Sequence, residues 1–235
     1  FVHFEPAKAK IAANAEGRDP LRAAMSAISG KPSAELDTLP EDQQAKLAAT
    51  AALFPDEMEV SEQGETPKGW DIGGLGRLCD LNTKRWTART LPHSVLYVDL
   101  SNTKRGDISD IQVLEGSEIP SRARRILEAG DTIVGTVRPG NRSYALVGED
   151  GWTGSRGFAV LHPRRPSFRE FVFVAATSDE NTERLAHLAD GGAYPAVRPE
   201  LVIEGQWAIP SDAVVTAYSA RVSGMFDQVL LNRKL

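Results

Sequence analysis

The sequence has few of the residues that build disulfides, metal sites or membrane spans. Cys79 is the single cysteine, so an internal disulfide is excluded, which is typical of the reducing cytoplasm. The four histidines are scattered singly, which excludes a zinc-finger spacing. The apolar run at 171–177 lies between Glu170 and Asp179, far short of the roughly 18 apolar residues of a transmembrane helix. We therefore expect a cytoplasmic protein that has no metal site and does not enter a membrane.

The sequence also lacks the motifs of several catalytic classes. No Pro-Pro pair is present, no lysine has an acidic residue two positions before it, and no Gly-Lys-Ser/Thr exists. The glycines at 73–76 lack the third glycine of a dinucleotide-binding loop. These absences disfavour a DNA amino-methyltransferase, a common metal-dependent nuclease, a P-loop ATPase and a dinucleotide enzyme. We expect a non-catalytic binder without a cofactor. A hydrolase with a spatially assembled Ser/His/Asp site stays an open alternative.

Charge is distributed unevenly along the chain. Residues 1–67 carry 6 basic and 12 acidic side chains, whereas residues 68–235 carry 21 and 20. Within the second part, the window 82–106 has five basic residues against Asp99 alone, and the window 120–170 has nine arginines against five acids. A nucleic-acid reader needs a basic face rather than a basic total, so the net charge of −5 does not exclude one.

The pattern of apolar residues predicts an α+β fold, with a mixed β-sheet, short helices and a long C-terminal helix. One helix is expected in the acidic part, at about 41–54. Strands are predicted in runs separated by Gly, Pro, Asn and Asp: 75–81, 94–100, 111–114, 132–137, 144–147, 157–161 and 201–209. Further helices are predicted at 121–129, 167–177 and 179–189.

The last part of the sequence has the pattern of a coiled coil. Its apolar residues recur at spacings of 3, 4, 3 and 4, which predicts a seam for a partner helix: Val215, Tyr218, Val222, Met225 and Val229. The alternative is a terminal helix that packs on its own domain.

At its other end the sequence begins at Phe1, with no initiator methionine, basic region or apolar signal core. We therefore expect a piece of a longer protein.

Two long strings carry a resemblance to a known family. ILEAGDTIVGTVRPGNRSYALVGEDGWTGSRGFAVLHP occupies 126–163, and REFVFVAATSDENTERLAHLADGGAYPAVRPE occupies 169–200. Both resemble the target recognition domain of specificity subunits from type I restriction-modification systems. Upstream, LFPDEMEVSEQGETPKGW resembles the segment that leads into such a domain. The resemblance implies an acidic N-terminal segment or linker with one helix at 1–67, a target recognition domain at 68–212, and the start of a spacer helix at 213–235.

The resemblance also implies a function without catalysis. In that family each recognition domain binds one half of a split double-stranded DNA target, and two spacer helices pair and set the gap. Separate modification subunits methylate adenine with S-adenosylmethionine, and an ATP-driven restriction subunit translocates and cleaves. A full specificity subunit has two recognition domains, so this chain corresponds to one half, and a homodimer is one expected state. The alternative is an assembly module that acts through its coiled-coil helix and no longer contacts DNA.

The loop at 138–144 is the first candidate for contact with DNA. The Pro139-Gly140 turn is expected to place polar groups at a loop tip: Arg138, Asn141, Arg142, Ser143 and Tyr144. Arginine can bind guanine and asparagine can bind adenine through two hydrogen bonds each. The alternatives are that Asn141 only caps the turn, that Arg138 pairs with an acid, and that the loop holds phosphates instead of bases.

Further candidate contacts lie in other basic segments. They follow predicted strands, lie on the predicted helix at 121–129 or sit in glycine-rich loops: Lys84, Arg85, Lys104, Arg105, Arg122, Arg124, Arg156 and Tyr194. A surface ion pair is the alternative for each basic residue. Burial under its loop is the alternative for the tyrosine.

Overall fold

The computed structural model describes residues 3–61, 64–189 and 195–232. Its α-helices are α1 Glu5–Ala15, α2 Pro20–Ser29, α3 Glu41–Ala52, α4 Arg169–Ala176, α5 Asp179–Ala189 and α6 Asp212–Asn232. Its strands are β1 Met58–Ser61, β2 Gly64–Pro67, β3 Asp71–Gly73, β4 Cys79–Leu81, β5 Ser94–Val98, β6 Thr103–Lys104, β7 Asp107–Ile108, β8 Gln112–Glu115, β9 Ala123–Leu127, β10 Thr132–Gly135, β11 Tyr144–Leu146, β12 Trp152–Ser155, β13 Phe158–Pro163 and β14 Trp207–Ile209. The α+β prediction is confirmed.

The chain divides into two compact units. The first contains residues 1–73 and 206–218, and the second contains residues 74–205 and 219–235. This division differs from the predicted boundaries at 67 and 212, because β14 pairs with β3 and Val214 is buried among the helices of the first unit. Helix α6 therefore begins in the first unit and ends in the second.

The first unit is built around three α-helices, where the sequence predicted one. Asp19 caps α2 by accepting hydrogen bonds from the amides of Leu21 and Arg22, and Gly30 ends that helix in a left-handed conformation. The prediction of a single helix was wrong. The alanine-rich α1 has little amphipathic pattern of its own, whereas α2 is amphipathic and carried usable signals in Asp19, Pro20 and Gly30. The helices bury a small apolar core that includes Leu36, Leu47, Phe54 and Trp70.

The second unit contains two four-stranded sheets. One has the order β11-β10-β13-β4 and is antiparallel, and the other has the order β8-β5-β12-β9. The second sheet is mixed, because β12 runs parallel to β5 and antiparallel to β9. A shared core of fully buried side chains includes Val98 and Leu127 from the mixed sheet and Ile133 and Phe158 from the antiparallel one.

Three predicted elements were wrong in type or extent. The segment 121–129 forms strand β9 instead of a helix, because its backbone pairs with β12 across a register shift at Gly154 and Ser155. The predicted strand at 75–81 starts as a 3-10 turn and is extended only in β4. The predicted strand at 201–209 likewise begins in a 3-10 turn, at Pro199–Val202, and only β14 is extended. Predicted helices at 167–177 and 179–189 correspond to α4 and α5.

Candidate nucleic-acid interface

Two loops that lie far apart in the sequence are joined in the second unit. The amide of Arg105 donates a hydrogen bond to the carbonyl of Arg142 at 2.8 Å, and the amide of Gly106 donates to the carbonyl of Tyr144 at 2.7 Å. The Ser143 hydroxyl donates to the carbonyl of Leu100 at 3.1 Å. The loop after β5 and the loop after β10 therefore form one surface.

An open groove of about 500 Å³ lies between these two loops. It is lined by Leu100, Ser101, Thr103, Lys104, Arg105, Gly140, Asn141, Arg142 and Ser143. A second hollow of about 290 Å³ shares some of this lining and adds Val137 and Arg138. We call the two hollows together the basic groove. Nine of the thirteen predicted DNA contacts are cationic, and four of these nine line the groove: Lys104, Arg105, Arg138 and Arg142.

Three arginines of the basic groove adopt a left-handed backbone conformation. The φ angles are 48° at Arg105, 46° at Arg138 and 60° at Arg142. This conformation is uncommon for residues with a Cβ and costs about 1–2 kcal/mol each, so it persists where the surrounding structure imposes it. Such strain clusters at functional sites, and here it presents three guanidinium groups around one surface.

Ion pairs divide the predicted cationic contacts into two groups. Lys84 pairs with Glu128 at 2.6 Å, and Arg122 pairs with Asp99 at 2.6 Å. Arg142 pairs with Asp179. In these three cases the surface ion pair that the sequence left as the alternative is present in the structure.

The remaining cations of the basic groove have no acidic partner. Across residues 3–61, 64–189 and 195–232, Lys104, Arg105 and Arg138 form no ion pair, and all three are exposed. Asn141 is exposed beside them. Its backbone amide donates a hydrogen bond to the carbonyl of Arg138 at 2.8 Å. Three uncompensated positive charges and one free carboxamide can bind phosphate oxygens and the edge of a base.

Two predicted contacts of this loop hold the groove in shape. The Ser143 hydroxyl donates its hydrogen bond to the carbonyl of Leu100. The ring of Tyr144 is half-buried and meets the ring of Phe173 edge-on, with centroids 6.3 Å apart. Gly135 and Gly157 bring the strands close enough for this packing, since a Cβ at either position would lie 2.9 Å from Ser143 or Leu100.

The other predicted contacts lie at the end of the mixed sheet. Arg85 forms an isolated antiparallel bridge with Arg125, and Arg124 donates to the carbonyl of Ala123 at 2.7 Å. The amide of Arg156 donates to the carbonyl of Arg122 at 2.7 Å. Arg124 thus lies on a strand instead of a helix. Tyr194 lies outside the described residues.

The sequence did not identify every residue that forms these surfaces. Ser101 and Leu100 line the groove, Asp179 neutralises Arg142, and Arg125 joins the arginines at the sheet end. The Arg124-Arg125 doublet was a usable signal for the last of these. No local signal marks Asp179, because 37 residues separate it from Arg142.

Helix α6 packs against the second unit with a face other than the predicted seam. The Ser219 hydroxyl donates to the buried Glu170 at 2.7 Å, and the ring of Phe226 meets that of Phe173 at 5.7 Å. Of the predicted seam, Val215 is buried, Tyr218 and Val222 are half-buried, and two residues are largely exposed: Met225 at 61% and Val229 at 48%. Both exposed residues border an apolar hollow of about 320 Å³. Pairing with another helix stays a prediction.

The described part of the chain has neither a cluster of metal ligands nor a membrane-spanning helix. No group of three or more His, Cys, Asp or Glu side chains there is arranged to hold a metal ion. No helix there is both long and apolar enough to cross a membrane.

The known proteins that resemble this chain come from type I restriction-modification systems. No protein-family model matches the chain. The specificity subunit of the type I restriction enzyme HindI from Haemophilus influenzae is 22% identical over 171 residues, which are 71% of this chain and 37% of that protein. A solved structure on complex assembly and conformational transition of a type I restriction-modification system is 31% identical, with a TM-score of 0.58 over 72% of this chain and 45% of the other. The crystal structure of the HsdS subunit from Thermoanaerobacter tengcongensis is 28% identical, with a TM-score of 0.58 over 75% and 46%. The chain spans less than half the length of each of these relatives.

Proposed function

We propose that the chain recognises double-stranded DNA, because it is similar to proteins of type I restriction-modification systems, among them specificity subunits, over less than half of their length. The observation that carries the proposal is the basic groove, in which three exposed cations have no acidic partner within the described part of the chain. The relatives include a protein named as a specificity subunit, which agrees with the prediction that this chain is not itself an enzyme.

Phosphate binding is the main role that we propose for the groove cations. Lys104, Arg105 and Arg138 are free to neutralise the DNA backbone, and each neutralised phosphate releases counterions. Arg142 is less available, since Asp179 already takes up its charge. Asn141 is the residue of the groove that we assign to the edge of a base, because a carboxamide matches the donor and acceptor of adenine.

The finer role follows the pattern of the family. We propose that the chain reads one half of a bipartite target and that partner subunits carry out adenine methylation and restriction. S-adenosylmethionine and ATP would then be bound by those partners and not by this chain. A cytoplasmic location fits the single, buried Cys79.

The test is DNA binding by the full chain with labelled duplexes whose central bases are randomised. Selection of the bound fraction gives the preferred sequence, and fluorescence anisotropy at several salt concentrations gives the number of phosphates contacted. The double variant Lys104→Ala/Arg138→Ala should reduce the slope of log K against log salt by about 2, because each phosphate contributes about 0.9.

A matched control removes charge elsewhere on the same unit. Arg89 and Arg221 are exposed and have no ion pair within the described residues, so Arg89→Ala/Arg221→Ala, which also removes two charges, should leave the slope unchanged. Equal binding by the wild type and the double variant, or binding without salt dependence, would contradict the proposal.

Assembly is a second candidate function, favoured by the exposure of Met225 and Val229 on α6. Large apolar side chains at heptad spacing on one helix are suited to a partner helix. An assembly module without DNA contact would self-associate or bind a helical partner while the duplexes above stay unbound, so the same titration separates the two functions.

A further inference from the structure

Three arginines meet at the end of the mixed sheet, outside the basic groove. Arg85 lies opposite Arg125 in an antiparallel bridge, and Arg125 pairs in register with Gly154, two residues before Arg156. The positive charges of Arg85 and Arg156 both act on Arg125. We call these three residues the arginine triad.

The main chain around the triad is held firmly. The amide of Trp86 donates to the carbonyl of Arg124 at 2.8 Å, and its indole donates to the Thr153 hydroxyl at 3.0 Å. These bonds fix the segment that carries Arg85 against β9 and β12. The three guanidinium groups therefore start from a pre-organised backbone, which lowers the entropic cost of binding a ligand.

The centre of the triad contains an unsatisfied hydrogen-bond donor. The Nε of Arg125 is buried, and it has no hydrogen-bond partner among the described residues. Arg85 and Arg156 are exposed and form no ion pair there. A buried donor without a partner costs about 1–3 kcal/mol. This Nε is closed to solvent, so the donors that an external ligand meets are the exposed guanidinium groups of Arg85 and Arg156.

The charges around the triad favour an anion as its ligand. Burial lowers the pKa of Arg125, and the like charges of Arg85 and Arg156 lower it further, while Glu200 is the acidic group that opposes them. Glu200 forms no ion pair with the triad. A net positive charge therefore remains, and guanidinium groups bind tetrahedral oxyanions through paired hydrogen bonds.

The glycine opposite Arg125 lets β12 pack closely against β9. A Cβ at Gly154 would lie 3.4 Å from the Cβ of Arg125 and 3.2 Å from a methyl of Leu127, so a larger residue would crowd the strand at this point. Strand β12 therefore places no side chain beside the arginine.

We propose that Arg85, Arg125 and Arg156 form a binding site for one phosphate group, supplied by the DNA backbone. This proposal deepens the proposed function and rests on it for the source of the phosphate. Its position suits that source, since Leu100 of the basic groove follows β5 and Arg156 follows β12, and these parallel strands end at the same edge of the sheet. One duplex can therefore contact both surfaces.

The experiment compares the wild type with Arg85→Ala/Arg156→Ala, both in the full chain. The two exposed residues are replaced so that the half-buried Arg125 is kept, and Arg89→Ala/Arg221→Ala removes the same charge from exposed positions elsewhere. Two readouts are used: the salt dependence of binding to labelled duplex DNA, and the melting temperature with and without inorganic phosphate.

We expect the triad variant to lose about one unit of salt slope, in addition to the loss caused by Lys104→Ala/Arg138→Ala. Without phosphate the triad variant should melt above the wild type, because repulsion around Arg125 is relieved. Added phosphate should raise the melting temperature of the wild type and of the control, and not that of the triad variant. A purely structural role of the arginines would not give this reversal.

The outcomes separate this inference from the proposed function. If phosphate stabilises the wild type through the triad but duplexes stay unbound, the phosphate site stands and DNA recognition fails. If duplex binding depends on the groove variants and neither readout responds to the triad variant, DNA recognition stands and the phosphate site is refuted. If phosphate acts through the triad while duplex affinity is independent of it, the site takes free phosphate and the DNA backbone is excluded as its source.

Discussion

The guanidinium of Arg122 binds the carboxylate of Asp99 through two nitrogens, at 2.6 and 2.9 Å. The same carboxylate oxygen accepts the Tyr97 hydroxyl at 2.8 Å, and the other oxygen accepts the amide of Leu100 at 2.6 Å. Since Leu100 lines the basic groove, this cluster anchors the groove to the end of β5. Arg122 is therefore a supporting residue more than a free contact for DNA.

The first prediction is that Arg122→Ala reduces stability. Asp99 is only 13% exposed in its side chain, and loss of a partner from such a group costs about 1–3 kcal/mol. Denaturant unfolding of the variant should show this loss, whereas Arg138→Ala, which removes an unpaired arginine, should leave the free energy of unfolding unchanged. Equal stability of both variants would contradict the supporting role.

The pH dependence of that loss follows from the carboxylate. Burial alone would raise the pKa of Asp99, but the hydrogen bonds from Arg122 and Tyr97 hold that pKa below its usual value. A lowered folded-state pKa gives stability that is present above the unfolded value of about 3.9 and is lost as the pH falls through the folded one. The stability difference between wild type and Arg122→Ala should therefore be full at neutral pH and shrink below about pH 4.

The second prediction concerns the left-handed backbone at Arg138. Glycine adopts a φ of 46° without the cost of a Cβ, so Arg138→Gly should raise the free energy of unfolding by a few tenths to about 1 kcal/mol while weakening DNA binding. Arg138→Ala should weaken binding equally and add no stability. Arg124→Gly is the control in a strand, where glycine should cost about 0.5–1 kcal/mol. Destabilisation by Arg138→Gly would show that this conformation is not strained.

The third prediction tests the packing that shapes the groove. In Gly135→Ala the new methyl would lie 2.9 Å from the Cβ of Ser143 and 3.0 Å from its carbonyl oxygen, so the groove loop must shift at a cost of about 1–3 kcal/mol. Gly140→Ala lines the same groove but meets its nearest neighbour, Ala186, at 3.8 Å. Thermal melting and duplex binding should both suffer in the first variant and change little in the second.

The fourth prediction concerns α6. We expect the chain to self-associate through Met225 and Val229, and Met225→Glu/Val229→Glu should lower association without lowering stability, because both side chains are largely exposed. Phe226→Ala should instead destabilise the second unit by up to about 3 kcal/mol, since its ring packs on Phe173. Sedimentation and melting measure the two effects. A wild type that stays monomeric at high concentration would refute the seam.

The sequence predicted the α+β class and seven of the fourteen strands that the structure describes, since periodicity and turn residues are local signals. Strand β9 was not predicted, because its buried residues Ala123 and Leu127 are four positions apart, a spacing that also suits a helix. The arginines between them remove the alternation of apolar and polar residues that is typical of a strand. Pairing with β12 decides the conformation, and that pairing is a tertiary effect.

The candidate site was predictable as a set of loops and not as an arrangement. Loop 138–144 carries its own turn signal, so its residues could be named in advance. Which cations are already neutralised depends on partners 23 positions away for Arg122, 37 for Arg142 and 44 for Lys84. Only the folded chain distinguishes these from the unpaired Arg138.

Three cations of the basic groove have no acidic partner among the described residues, and this affects how the surface can evolve. Replacing Lys104, Arg105 or Arg138 leaves no carboxylate without its partner, so such changes have little effect on the free energy of unfolding. A change at Arg122 instead leaves Asp99 without its ion pair. New side chains can therefore be tried at the groove one at a time while the scaffold persists. The protein thus separates the residues free to drift toward a new binding preference from those that maintain its architecture.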